Sequence, residues 1–281
     1  MINDRGGING RKINLISLDN AFSSPKAIEQ TRRLVESDEV FAIAGSLGTP
    51  TNVAIQKYLN GKGVPNLFLT SGAERFNDPK EYPWIVPFYP IYVAQGALFA
   101  TYILRERPDA KIAVQYENDD WADYVKGLKQ GLGDKAAAVI VKELSHELSD
   151  PTIDSQILDF KASGADVLIQ FTQSKFAAQG IRVAAGLNLR PLHIVCSNAG
   201  SIGTTFIPAG VEASKGVVTA TWERNPADPA QADHPAVKEF KAFAAKYMPN
   251  LDFNSTVYAA GLQQRLYDRA GVAALRRQPH A

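Results

Sequence analysis

The sequence holds a single cysteine, Cys196, so no internal disulfide can form and no Cys-x-x-Cys pair exists to bind a metal or run redox chemistry. Histidine is scarce as well: His146, His193, His234 and His280 are scattered, and no HExxH spacing occurs. Charge of one sign is missing too. Lys+Arg at 30 against Asp+Glu at 29 leave a formal charge of +1, which supplies no field to gather nucleic acid or an anionic membrane surface. No uninterrupted apolar run reaches the roughly 18 residues that a membrane span needs. The glycine-rich GxGxxG and GxxxxGK[ST] loops are absent, and Gly45-Ser-Leu-Gly48 lacks the GxSxG spacing of a nucleophile elbow. These gaps argue against a disulfide-stapled domain, a thiol or metal enzyme, a nucleotide binder and a nucleic-acid binder. What remains is a globular chain with 45% hydrophobic residues, suited to a small neutral or singly charged partner.

The most informative stretch is Phe41-Ala-Ile-Ala-Gly-Ser-Leu-Gly-Thr-Pro-Thr-Asn52. Phe41–Ala44 has the length and apolarity of a strand, the glycines at 45 and 48 allow a tight turn, and Pro50 suits the first turn of a helix. Thr49 is expected as the N-cap, with the amides of the first helical turn pointing beyond the strand's carboxyl end. Such a turn receives a carboxylate or another acceptor group; equally, Thr49 and Ser46 cap helices and turns in any βα junction.

Strands and helices alternate on both sides of this stretch. Met1–Gly7 reads as the last turn of a helix, with Gly6 or Gly7 left-handed, followed by a strand over Arg11–Leu18 and a helix opening at Ser24-Pro25. Further on the pattern predicts helix 50–62, strand Asn66–Leu69, helix 91–106, strand Lys111–Tyr116, helix 120–132, strand Val139–Glu143 and helix 153–162. Strand Asp166–Phe171, helix 174–187, strands Leu192–Cys196 and Gly216–Thr221, and helix 235–247 complete it. This is an α/β chain with parallel sheets and helices on both faces. Proline-rich segments near 84–91 and 221–233 bracket a middle block. The organisation expected is two lobes, residues 1–90 with 222–281 and residues 91–221.

In such sheets ligands bind beyond the carboxyl ends of the strands. Those ends carry Ser46, Leu47, Gly48 and Thr49, then Thr70, Ser71 and Gly72, in the first lobe. In the second they carry Glu117 to Trp121, Thr172 to Ser174, and Ser197 to Ala199. Small polar groups with Leu47 and Trp121 as apolar walls would surround a small molecule, although each residue type is also an ordinary turn former. Among residues that resemble catalytic groups, His193 inside a strand reads as a structural histidine and Cys196 as an inert small hydrophobe. His146-Glu147 reads as a pair in a polar loop, and Asp119-Asp120 as acids matched to a helix dipole. No catalytic residue, metal ligand or cofactor is indicated.

Several stretches carry a family resemblance: Ile2-Asn-Asp-Arg-Gly-Gly-Ile-Asn-Gly-Arg-Lys12, Ser24-Pro-Lys-Ala-Ile-Glu-Gln30, Leu34 through Asn52, Asp150-Pro-Thr-Ile-Asp-Ser155 and Ser163-Gly-Ala-Asp166. In this order they resemble the branched-chain amino acid type (leucine/isoleucine/valine) solute-binding proteins of bacterial ABC importers, from residue 1 to about residue 260. The resemblance implies a type I periplasmic-binding fold, two lobes hinged on crossing segments and closing on a solute. It implies a binder and not an enzyme, without cofactor, monomeric at full length, working with a membrane permease in the periplasm and binding no nucleic acid.

Carried over by position, Thr49 and the Gly45–Thr49 backbone match the receiver of the ligand carboxylate. Thr70–Gly72 match the segment facing the ligand's amino group, but Gly72 stands where amino acid binders have a threonine. Trp121 falls where the second lobe supplies a tyrosine, Ser174 replaces another aromatic contact, and Asn198 stands where an acidic residue pairs with the α-ammonium. The solute implied is a small carboxylate with an apolar or aromatic body, or a branched-chain amino acid-like molecule. The resemblance also implies a signal peptide and a first strand before Met1 and further chain after Tyr258, and the Arg- and Ala-rich 263–281 tail departs from the family. Two other classes share the architecture. An effector-binding or sensor domain of the same fold would carry a helix-turn-helix in a repressor, and a small α/β hydrolase or amidase would need a nucleophile and base at the strand ends.

Overall fold

In the computed structural model, which describes residues 2–254, the chain opens on a helix-closing turn. The N–H of Gly6 donates to Asn3 O at 3.1 Å and that of Gly7 to Ile2 O at 3.0 Å, the paired bonds of a Schellman cap, with Gly6 left-handed at φ 88°. The turn expected over Met1–Gly7 is therefore present. The strand expected over Arg11–Leu18 is not. That segment is extended and tied at Arg11 to Ile8 and at Ile13 to the Asn3 side chain, yet no described segment runs alongside it to complete a ladder. Ile13 and Leu15 consequently stand exposed.

Residues up to Tyr89 make one compact unit. Helix α1 (Ser24–Arg32) runs on into a wider turn, and β1 (Ile43–Ala44), α2 (Thr49–Lys62), β2 (Asn66–Leu69) and β3 (Ile85–Pro87) follow. The three strands are parallel in the order β1-β2-β3. Ala27 of α1 packs against Ile55 and Leu59 of α2 to form the core. Strand β1 is shorter than the expected Phe41–Ala44. Its partner β2 begins only at Asn66, after the left-handed Gly63 that ends α2, so nothing pairs with Phe41, which is 90% exposed.

From Pro90 onward the chain forms a second unit. Its elements are α3 (Tyr92–Glu106), β4 (Ile112–Glu117), α4 (Ala122–Leu132), a short α5 (Ala136–Val139), β5 (Ile140–His146), α6 (Asp154–Ser163), β6 (Val167–Phe171), α7 (Ser174–Gly186), β7 (Leu192–Val195), a turn-length α8 (Ile207–Ala209), β8 (Val218–Thr219) and α9 (Pro235–Tyr247). All five strands are parallel, in the order β5-β4-β6-β7-β8. Strand β5 starts later and ends later than the expected Val139–Glu143, because Val139 closes α5 and the ladder with β4 continues to Glu117 opposite His146. Strand β8 is only the centre of the expected Gly216–Thr221.

Alternation along the buried strands divides the apolar residues between two layers. Ala113, Leu144 and Leu168 pack against Ile157 and Phe160 of α6 and Phe176 and Ala184 of α7. On the opposite face Phe171 stacks on Tyr124 of α4, ring centroids 4.7 Å apart, and approaches Phe99 of α3 at 6.1 Å. Helices α3 and α4 meet at backbone distance: a Cβ on Gly127 would lie 1.9 Å from Val93 O. The first-lobe assignment of 222–281 differs from the observed grouping. Through Asn254 this segment belongs to the second unit, tied by Gly203 N–H to Asn254 O at 3.1 Å; the 263–281 tail lies outside the described residues.

Candidate ligand-binding site

In the first unit the two turns singled out from the sequence lie side by side. Thr70 N–H donates to Ser46 O at 2.8 Å and Gly48 N–H to Thr70 O at 3.2 Å, extending the parallel pairing past the strand ends. Thr49 is not the N-cap. Gly48 holds that position at φ 100°, a backbone state that a β-branched residue resists, so Thr49 becomes the first helical residue and no side chain caps the opening turn of α2. Freed from capping, the Thr49 hydroxyl pairs with Ser71 Oγ at 2.7 Å, both residues buried. Ser46 Oγ lies 2.7 Å from both Asn52 Oδ1 and Asn66 Oδ1, which anchors the turn to α2 and β2. Leu47 is 57% exposed, as a wall residue must be. Gly72 adds no side chain. The arrangement gathers an uncapped helix amino end and a hydroxyl pair at the carboxyl ends of β1 and β2, a combination able to receive an anion.

In the second unit Trp121 and Asn198 are joined through Tyr124. The Trp121 ring packs on Tyr92 and Tyr124 at centroid distances of 5.6 and 5.9 Å, and the Tyr124 hydroxyl donates to Asn198 Oδ1 at 2.9 Å. Ser197 Oγ and Gln95 Oε1 are also bonded. Trp121 is buried, at 6% exposure, so it offers a ligand only a margin of its ring. Ser174 stands apart from this cluster, at the start of α7, with its hydroxyl 3.1 Å from Thr204 Oγ1.

Beneath these residues runs a buried polar row across the sheet. His193 Nε2 meets Gln170 Oε1 at 2.7 Å, Gln170 Nε2 donates to Gln115 Oε1 at 2.9 Å, and Gln115 Nε2 meets His146 Nδ1 at 2.6 Å. His146 Nε2 continues to Thr172 Oγ1 at 3.1 Å. Burial holds His193 neutral, with its pKa lowered to about 4, and lowers that of His146 as well; Cys196 is pushed up to about 11. His193 and Cys196 are thus structural, as expected. His146 corrects the expectation of a loop pair, since it ends β5 inside the core with its ring 4.4 Å from Phe176. The one legible signal was a glutamine that follows three apolar residues in each of two strands, Gln115 and Gln170, which the parallel register sets opposite each other.

Asp119, an exposed residue, stands where the chain enters α4 and its Oδ1 accepts the Trp121 N–H at 2.8 Å, in keeping with an acid matched to a helix start. Glu117, whose side chain is 2% exposed, accepts from Gln173 Nε2 at 3.2 Å. Burial raises Glu117 to about 7, helped by the Asp119 charge, and raises Asp119 to about 6. Among the described residues no group of three His, Cys, Asp or Glu side chains is arranged to hold a metal ion, and no helix is long and apolar enough to cross a membrane.

The periplasmic binding protein family matches residues 1–275. Leu/Ile/Val-binding protein homolog 7 of Brucella abortus is 28% identical over 206 residues, 71% of this chain and 51% of its own length. The chain therefore spans about half the length of the curated relatives it matches. A branched chain amino acid ABC transporter protein from Thermus thermophilus with bound valine is similar at a TM-score of 0.78 and 19% identity, over 94% of this chain and 67% of that one. An ABC transporter solute-binding protein from R. palustris in complex with benzoate gives a TM-score of 0.73 at 20% identity, over 88% and 66%. At these identities the solved structures speak for the fold, the type I periplasmic binding fold. The family and these neighbours are binding proteins and not enzymes. The chain belongs to the periplasmic binding protein family.

Proposed function

We propose that this chain captures a small solute in the periplasm for an ABC importer of the branched-chain amino acid class and hands it to a membrane permease. The solute we infer is a carboxylate with an apolar or aromatic body. The observation that carries this reading is the start of α2, where no side chain caps the first turn and the Thr49–Ser71 hydroxyl pair lies beside it. Thr70, the Gly45–Thr49 backbone and Gly72 border the same place, and Leu47 supplies apolar contact. An anion there gains from the helix dipole and the hydroxyls together.

The residues carried over in the second unit, taken by themselves, point the same way. Asn198 is neutral and already accepts from the Tyr124 hydroxyl, so it offers no carboxylate to offset a ligand ammonium. Trp121 gives an aromatic margin and Ser174 a hydroxyl. The benzoate complex of one structural neighbour supports an aromatic acid, and the valine complex of another supports an apolar body of that size. A thermal-shift panel of aliphatic and aromatic carboxylates, free amino acids and amines tests the reading. Carboxylates lacking an α-amino group should raise the melting temperature most; a larger rise with leucine or valine would overturn it.

A further inference from the structure

The turn before α2 carries carbonyl oxygens as well as amides, and an anion is repelled by the first and held by the second. Side chains from the opening of α2 reach back and take three successive carbonyls of this turn. Asn52 Nδ2 donates to Ser46 O at 3.2 Å and to Gly48 O at 2.7 Å. Thr51 Oγ1 gives its single proton to Leu47 O at 2.7 Å, with Gly48 O farther off at 3.1 Å. Asn52 and Thr51 are both fully buried. We propose that Asn52 is a positioning residue for the solute site, turning the two peptide units that begin at Ser46 and Gly48 so that the N–H groups of Leu47 and Thr49 are presented to the solute carboxylate. The proposal rests on the carboxylate reading given above.

A trans peptide unit is planar, with its carbonyl and its N–H on opposite sides. The unit that supplies Ser46 O also supplies Leu47 N–H, and the unit that supplies Gly48 O also supplies Thr49 N–H. One amide group that draws both oxygens to itself therefore sends both N–H groups the other way. Those two are among the donors left over. Gly45 N–H is taken by Leu67 O at 2.9 Å and Gly48 N–H by Thr70 O at 3.2 Å, whereas among the described residues Leu47 N–H and Thr49 N–H have no acceptor. Thr49 is buried, so its unmet donor is costly until an acceptor arrives. The amide of Asn52 can face only one way. Two carbonyl oxygens demand its NH2 end, and Oδ1 accepts from Asn66 Nδ2 at 3.1 Å, which clamps it from β2. Ser46 O also accepts Thr70 N–H at 2.8 Å, and Gly48 O accepts the Asn52 N–H at 3.3 Å. The Ser46 unit thus has a second firm anchor, while the Gly48 unit depends more on the Asn52 side chain.

Two variants of equal burial separate positioning from plain stability. Asn52→Leu leaves both carbonyls unheld. Thr51→Val also removes a buried bond from the turn, but the carbonyl it frees, Leu47 O, belongs to the unit whose N–H is already spent on Thr70. Both should unfold at lower urea concentration than the wild type. Benzoate affinity, read by calorimetry, should fall at least about tenfold in Asn52→Leu and less than about threefold in Thr51→Val. The wild type alone gives a second reading should Asn52→Leu not fold. On saturation with benzoate the amide proton resonances of Leu47 and Thr49 should move farther than those of Gly45 and Gly48. Equal affinity losses in the two variants, or benzoate shifts centred on Gly45 and Gly48, would overturn the proposal. Failure of benzoate to bind the wild type would count against the carboxylate reading instead, and measurements without ligand then decide the role of Asn52. Its side-chain amide protons should exchange at least about tenfold more slowly than those of the exposed Asn9, and in Asn52→Leu the carbonyl carbon resonance of Gly48 should move more than that of Ser46. Free exchange of the Asn52 amide, or unmoved carbonyl resonances, would overturn the proposal on its own.

Discussion

The two units are made of the same parallel βα repeat, and they use it very differently. In the second unit β4 and β6 lie inside the sheet with a bonded strand on each side, and all five residues of β6 are buried. In the first unit β1 is an edge of two residues, and apolar side chains of that unit are open, Leu15 at 80% and Phe41 at 90%. An apolar run of strand length becomes a strand only where the sheet order gives it a neighbour. Ile112–Glu117 has two such neighbours, and Arg11–Leu18 has none among the described residues. The turn proposed to receive an anion thus stands on the three-stranded sheet, and the aromatic and carboxyl groups on the five-stranded one.

The sharpest way to break this contrast is to strike the second unit's packing. Gly127→Ala would press a Cβ against the Val93 carbonyl and should cost about 3 kcal/mol in urea denaturation, because backbone cannot step aside. Hydrogen exchange separates the units without mutation. Amides of β4 and β6 should exchange only through large openings, those of Arg11–Leu18 through local ones, and equal protection would erase the comparison. In the first unit Thr49→Val removes the partner of Ser71 and should lower stability by about 1 kcal/mol and solute affinity by about 1–3 kcal/mol, read by calorimetry.

The pH response belongs to the second unit. Glu117 and Asp119 titrate near 7 and near 6 when folded, above the 4.5 and 3.8 of the free groups, so the folded chain holds more protons in that interval. Their contribution is complete below the unfolded values and is lost as pH rises through about 7. The melting temperature of the wild type should therefore fall relative to Glu117→Gln as pH climbs across this window. The smallest effect is a gain. Gly61 lies in α2 with nothing within 4 Å of where a methyl group would sit, and Gly61→Ala should add about 0.5–1 kcal/mol by helix propensity alone.

Periodicity made the helices legible: 235–247 and the body of 91–106 were readable because apolar residues recur at helical spacing. Strand Asn66–Leu69 was bounded by its turn residues on both sides. Pairing was less legible, since Phe41 and Leu15 look like strand residues until the sheet order leaves them without partners. At the site, the turns around Ser46–Thr49 and Thr70–Gly72 were marked by glycine and hydroxyl residues at strand ends. The capping role assigned to Thr49 failed because the left-handed state of Gly48 moves the cap by one residue, a matter of backbone angle that side-chain identity does not reveal. Glu117, read only as one polar residue of a strand end, and His146, read as a loop residue, owe their surroundings to burial and to neighbours distant in sequence, Gln173 and Gln115, which the sequence does not show.

The central claim, a carboxylate received at the start of α2, is tested most directly by calorimetric titration of the protein with benzoate and with leucine, each repeated in Thr49→Val. The expected result is benzoate binding at least about tenfold more tightly than leucine, about 1.4 kcal/mol, with that affinity reduced in Thr49→Val. Leucine binding more tightly than benzoate, or benzoate binding unaffected by Thr49→Val, would contradict it.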